Sequence, residues 1–280
     1  MEFASAASEK HEIVIIGGGI CGLATALAPH RKGLKSIVLE RSETLRAYGG
    51  GIGLLPNAWR ALDQLGVGSR LRSMAVLLQG DIGVGMLPIT QHLIHWFVAL
   101  PTHLLSGDKF PHDPKYIKQM TLELIKDFPS NIQEIIELSD LDSLSATHLR
   151  YRAPWDLVLG TMRKGTVTVA GDAMHVMGPF VGQGGASGLE DAVVLGRCLS
   201  MAMSGIEGNS KKEKIAKIEA GLDQYVKERR MRVLGLSTLT YLIGIIVGST
   251  SPLVKMVAGF ALAILFRDRA AHIHFDCGRL

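Results

Sequence analysis

The decapeptide IVIIGGGICG, residues 13–22, decides the fold. Four β-branched residues run straight into three glycines, and a fourth glycine follows at position 22. A short β-branched run stopped by glycine is the pattern of a buried parallel strand, placed here at 11–16. Helical character follows over 20–31, closed by Gly33, and 36–39 reads as a second strand ending at Glu40. Together these make one βαβ unit of roughly 30 residues. Its blemish is Pro29, which removes the bond to the Thr25 carbonyl and costs up to about 3 kcal/mol in a helix interior.

Gly17, Gly19 and Gly22 satisfy G-x-G-x-x-G with a strand before and a helix after. Gly17 permits the tight turn, Gly19 lets the backbone approach a pyrophosphate, and Gly22 lets helix and strand pack closely. The helix start, at Ile20 and Cys21, offers free N–H groups and partial positive charge to phosphates. Glu40 stands 18 residues beyond Gly22, placed to accept hydrogen bonds from the ribose hydroxyls of an adenosine, with Arg41 flanking the adenine. At this point NAD and FAD both remain open.

A second glycine-rich stretch, TVTVAGDAMHVMGPFVGQGGASGLEDAVVLGR (166–197), closes the choice. A strand over 166–170 leads into Gly171-Asp172, and a long helix starts near Gly184 and runs to about Ser200. The stretch resembles the second flavin-binding block of FAD-dependent monooxygenases. These are the group A aromatic-hydroxylase-like flavoproteins, in particular the plant branch related to zeaxanthin epoxidase. The resemblance implies that Asp172 bonds a ribityl hydroxyl and that Pro179 lies over the isoalloxazine. It also implies that the loop Gly182-Gln183-Gly184-Gly185 opens a helix whose N–H groups face the pyrimidine end of the flavin. A helix N-terminus there is a fixed dipole that stabilises negative charge on a reduced flavin. Ala186 stands where many relatives carry Asn, and His175 is read as structural. The segments GGGIGLLPNAWRALDQLGV (49–67), with Asn57 and Arg60 opening a helix, and GMLPITQHLIHWFVAL (85–100), a strand pair, extend the resemblance.

By that resemblance the chain is an α/β oxidoreductase. It has a Rossmann-like FAD-binding domain of the glutathione-reductase type, a reduced mixed-sheet substrate domain and a C-terminal apolar helical region. The expected boundaries are 1–80 with 145–200 for the FAD-binding domain, 81–144 for the remnant of the substrate domain and 201–280 for the C-terminal helices. The implied reaction is hydroxylation or epoxidation of a small organic substrate, using NAD(P)H and O₂ through a flavin C4a-hydroperoxide. Such oxygen transfer needs no side-chain acid or base, so no catalytic residue is assigned. One family block is missing. The dipeptide Asp-Gly, on which a third FAD-contacting motif is built, occurs nowhere in the 280 residues. The discontinuity falls near Met74–Gly85 and has the character of an internal deletion. The alternative reading is therefore an inactive or regulatory truncated isoform with weak or no FAD binding.

The remaining features narrow the class. The formal net charge is +4, and no basic patch interleaved with aromatics points to nucleic acid. Basic clusters at 211–217 and 227–232 have helical spacing and read as solvated helix faces. Cys21, Cys198 and Cys277 are far apart and read as reduced thiols. His272, His274, Asp276 and Cys277 form a candidate metal cluster at the chain end, weighed against scattered histidines, and no metal is assigned. Residues 215, 218, 222 and 226 mark an amphipathic helix. From Val233 to Val254 there is no charge, and 256–266 is apolar again, with Gly248-Ser-Thr-Ser-Pro252 between. Helices covering the core and membrane association through 233–266 both remain open for this tail. The polar decapeptide MEFASAASEK is too short for a secretory signal, so the expected place is the cytoplasm or the face of an intracellular membrane.

Overall fold

The computed structural model describes residues 13–43, 53–72, 84–88, 94–98, 113–146, 149–205, 208–268 and 270–280. The chain divides into two compact units, one of 1–74 with 150–280 and one of 75–149. In the first unit, β1 (Ile13–Ile16), α1 (Ile20–His30) and β2 (Ser36–Leu39) form the βαβ start. The two strands pair in parallel, from Ile13 opposite Ser36 to Ile16 opposite Leu39. Pro29 lies one residue from the end of α1, so its missing N–H costs one bond and the helix stops at His30.

Next come α2 (Pro56–Gln64), opened by proline at its first position, and α3 (Gly68–Arg72). The first unit resumes with α6 (Pro154–Leu159), the ladder of β5 (Arg163–Lys164) and β6 (Val167–Thr168), and α7 (Asp172–His175). It is completed by α8 (Gly184–Met203), α9 (Lys211–Gly248) and α10 (Pro252–Leu265). Helix α8 is the centre of the core, buried over most of its length and packed by α1, α2 and α9. Small residues let the axes approach. A Cβ at Gly196 would sit 2.6 Å from the Ala28 Cβ, and one at Gly221 would sit 2.7 Å from the Ala202 Cβ.

Two expectations change. The strand over 166–170 shrinks to Val167–Thr168, paired antiparallel with Arg163–Lys164. Beyond it the Val169 carbonyl accepts the Tyr225 hydroxyl at 3.1 Å, so a side chain from α9 takes the place of a ladder partner. The amphipathic helix around 215–226 and the uncharged stretch up to Gly248 are one continuous α9 of 38 residues, and the rest of that stretch enters α10 at Pro252. Ser210 opens it with a capping box to Glu213, and no proline interrupts it before Pro252. The C-terminal segment is strapped down: Arg60 donates to the His274 carbonyl at 2.6 Å, Arg197 to the Cys277 carbonyl at 2.8 Å, and the Leu280 N–H to Gln64 Oε1 at 3.1 Å. Among the described residues no group of three or more His, Cys, Asp or Glu could hold a metal ion.

The second unit contains β3 (Val84–Pro88) antiparallel to β4 (Ile94–Val98), then α4 (Pro114–Leu124) and α5 (Ser130–Glu137). The strand pair agrees with the expectation for 85–100. Trp96 donates its indole N–H to Ser139 Oγ, just after α5, at 2.7 Å. The glycine run at 49–52 lies outside the described residues.

Candidate functional site

The turn after β1 is held by its own backbone and by Glu40. Gly17 has φ 106°, a left-handed value that a side chain resists, and its N–H donates to the Leu39 carbonyl at 2.8 Å. The Gly18 N–H donates to Glu40 Oε2 at 2.7 Å and the Ser42 N–H to Oε1 at 2.9 Å. These two donors, Ser42 first, hold the exposed Glu40 carboxyl below its ordinary range. Each oxygen has further acceptor capacity for a ligand hydroxyl. At Gly19 no atom lies within 4 Å of where a Cβ would be, whereas a Cβ at Gly22 would collide with the Gly17 carbonyl. One glycine keeps an approach open and the other lets α1 lie against its strand. Gly19 at the N-cap of α1 makes no side-chain cap bond, so it leaves the N–H groups at Ile20, Cys21 and Gly22 without a capping side chain from that position. Arg41 is exposed in the bend after β2.

The second glycine block meets the first at Cys21. Gly171 has φ 59°, and a Cβ there would stand 2.9 Å from both Cβ and Sγ of Cys21. Gly188, on α8, would place its Cβ 3.2 Å from the same Cys21 Cβ. Burial, followed by the nearby Asp191 charge, pushes the Cys21 thiol up to about 12, so it stays protonated. Asp172 is exposed as the first residue of α7. Pro179 is exposed at the start of a 3₁₀ turn, Pro179–Val181. At Gly182 nothing lies within 4 Å of a Cβ position, and Gly184 and Gly185 form the first turn of α8, which carries no side-chain cap and no acid. Two segments distant in sequence thus place bare backbone along one seam.

Behind this seam lies a buried polar cluster that the sequence pattern concealed. Arg229 and Arg232 belong to a basic run expected to be solvated. Instead Arg229 is fully buried, with Nε 2.7 Å from Asp191 Oδ1 and Nη1 2.8 Å from Glu190 Oε2. Arg232 Nη2 stands 2.9 Å from Glu190 Oε1 and donates to the His272 carbonyl at 2.7 Å. The cause is the pair Glu190-Asp191 in the apolar interior of α8, which needs counter-charges where water is absent. Asp191 Oδ2 also accepts the Gly171 N–H at 2.8 Å and meets His175 Nε2 at 2.7 Å. Burial alone would raise the Asp191 carboxyl, but His175 and Arg229 outweigh it and bring it down to about 2. Asn57 Nδ2 donates to Gln183 Oε1 at 2.8 Å and to Glu190 Oε1 at 2.7 Å. The cluster therefore grips two glycine turns, Gly171 through Asp191 and Gln183 through Asn57. His175 has the structural place expected of it.

Comparison with known proteins gives this geometry its family. An FAD binding domain matches residues 10–84 and 113–238. "Monooxygenase 1" of Arabidopsis thaliana is 33% identical over 399 residues, covering 97% of this chain and 100% of that protein. The chain belongs to the FAD-dependent monooxygenase family. That alignment is longer than the chain itself, so more than a hundred positions of the relative have no counterpart in these 280 residues. The chloroplastic zeaxanthin epoxidase of an Oncidium hybrid cultivar is 25% identical over 219 residues, 78% of this chain and 30% of its own length. Among solved structures, an HpxO variant from Klebsiella pneumoniae complexed with FAD superposes with a TM-score of 0.65. It is 14% identical, with 93% of this chain and 98% of that one covered, a likeness of fold.

Proposed function

We propose that this chain binds FAD along the seam between its two glycine blocks and oxygenates a small organic substrate at the expense of NAD(P)H and O₂. The observation that carries the reading is the meeting of Gly171 with Cys21, which brings two open backbone turns to one line. The residues fit the cofactor. Glu40 takes the adenosine ribose with Arg41 beside the adenine, and the start of α1 at Gly19, Ile20, Cys21 and Gly22 takes the pyrophosphate. Asp172 takes the ribityl chain, Pro179 covers the ring, and Gly182, Gly184 and Gly185 present N–H groups to its pyrimidine end. Bound FAD supplies the redox chemistry, accepting electrons from NAD(P)H and activating O₂. The protein contributes the α8 dipole, already oriented when negative charge develops, and an aromatic wall. In that wall Tyr241 meets Tyr151 at 5.6 Å and Trp155 at 5.5 Å between ring centroids. The neighbouring Thr240 donates its hydroxyl to the Gly178 carbonyl at 2.9 Å, which anchors the wall to the loop before Pro179. Flat apolar compounds suit such a surface.

A second reading has its own support. Val14 is 55% exposed and Ile16 81%, and among the described residues β1 pairs with β2 alone. Parallel strands are ordinarily covered on both faces, and here one face of β1 is open. Without an Asp-Gly block, a chain of weak FAD affinity and no turnover is the consistent alternative. Oxygen-coupled oxidation of NADPH or NADH, measured on the full chain supplied with excess FAD, separates the two. Turnover supports the monooxygenase reading, and flavin binding without any oxygen consumption supports the inactive form.

A further inference from the structure

Helix α10 reverses the amphipathic rule. A helix on the surface of a water-soluble protein turns its apolar stripe inward. In α10 the less exposed positions are Ala258, Ala261 and Leu262, small or moderate residues, and the helix packs on α9. The exposed apolar positions include Val254 and Leu265 and, recurring at i, i+3, i+4, i+7 and i+11, Leu253, Met256, Val257, Phe260 and Ile264, which form one continuous outer stripe. Phe260, at the middle of the stripe, is 69% exposed. Val247 in the last turn of α9 is exposed as well, four residues before the Ser249–Ser251 link ends. Exposed apolar faces of this kind mark contact surfaces.

Charge selects the partner. Between Glu228 and Asp268 the sequence has no acidic residue, and its charges are Arg229, Arg230, Arg232, Lys255 and Arg267. Arg229 and Arg232 are spent on Glu190 and Asp191. Lys255 and Arg267 are exposed, one in the first turn of α10 and the other just past its end. With the exposed Asp268 beside Arg267, the described charges bordering α10 still sum to a net positive charge, which complements an anionic lipid surface. The stripe fits a second copy poorly, because a two-fold contact would set the net-positive tip against itself.

We infer that the α9–α10 tip docks on the interface of an anionic bilayer, its outer stripe among the acyl chains and Lys255 and Arg267 on lipid phosphates. It lies on the membrane and does not cross it. Helix α10 has 14 residues, about 21 Å of helix, short of the roughly 30 Å hydrocarbon core. Helix α9 is long and apolar enough by composition, but its residues Val233, Leu236, Ser237, Leu239 and Thr240 are buried in the protein. Only the last eight residues of α9, about 12 Å, are left to extend outward.

The test is co-sedimentation of the full chain with vesicles of phosphatidylcholine alone and of phosphatidylcholine mixed with phosphatidylserine. The wild type binds the mixed vesicles, with affinity falling as salt rises. Lys255→Ser and Arg267→Ser each weaken that binding roughly fivefold. Phe260→Glu combined with Met256→Glu removes it, while circular dichroism and melting temperature stay at wild-type values because both positions face outward. Equal sedimentation of wild type and double variant overturns the inference. So does a dimer in solution that the double variant dissolves, with no wild-type binding to either vesicle.

Discussion

Gly19 and Gly22 are three residues apart and fail differently when given a side chain. The space around Gly19 is open, so Gly19→Ala leaves the fold within about 0.5 kcal/mol of wild type. It narrows the approach of a pyrophosphate, and FAD affinity falls. Gly22→Ala drives a methyl into the Gly17 carbonyl, and overpacking of this kind costs about 1–3 kcal/mol. Melting temperature and flavin titration on the two variants separate the effects; identical losses of stability would contradict this division. Glu40 makes a third case. Its carboxylate is exposed, and the Gly18 and Ser42 N–H groups it accepts can turn to water, so Glu40→Ala lowers the melting temperature only modestly. A charge-assisted hydrogen bond to ribose is worth about 1.5–3 kcal/mol, so FAD affinity drops by about ten- to a hundredfold. An unchanged affinity would remove Glu40 from the site.

At the scale of elements, the buried ion cluster ties α9 to α8 and to the turns at Gly171 and Gln183. Asp191 titrates at about 2 in the folded protein and near 3.9 when unfolded. A depressed carboxyl stabilises the fold above its unfolded pKa and loses that contribution as pH falls through the folded value. Stability should therefore fall by about 2 kcal/mol between pH ~4 and pH ~2 on this account, with the fall flattened in Asp191→Asn. Urea unfolding across that range checks it, and parallel profiles would exclude Asp191 as the titrating group. Arg229→Met leaves two carboxylates facing one another without their guanidinium and costs about 3–5 kcal/mol. A variant that melts with the wild type would show that the pair is solvated rather than buried. The βαβ start was legible because β-branched periodicity and glycine spacing are local signals. The start of α8 was legible from its glycine loop. The burial of Arg229 and Arg232 was not, since a basic run at helical spacing looks the same whether solvated or paired. Its clue lay elsewhere, in two adjacent acids inside the otherwise uncharged stretch from Gly182 to Gly196.

For the whole molecule, the family is written in two distant glycine blocks, and the fold brings them into contact at Cys21. The same whole-molecule view explains what sequence could not supply. The strand over 166–170 was expected from composition, yet a strand needs neighbours, and Val169 finds the Tyr225 hydroxyl instead. The exposed faces of β1 record the same shortage of sheet. The central claim, that the seam holds FAD, is tested most directly by the visible absorption spectrum of the purified full chain after incubation with FAD and removal of the excess. Flavin bands near one equivalent per chain are the predicted result. A colourless protein with an intact circular dichroism spectrum and a cooperative melt would contradict it.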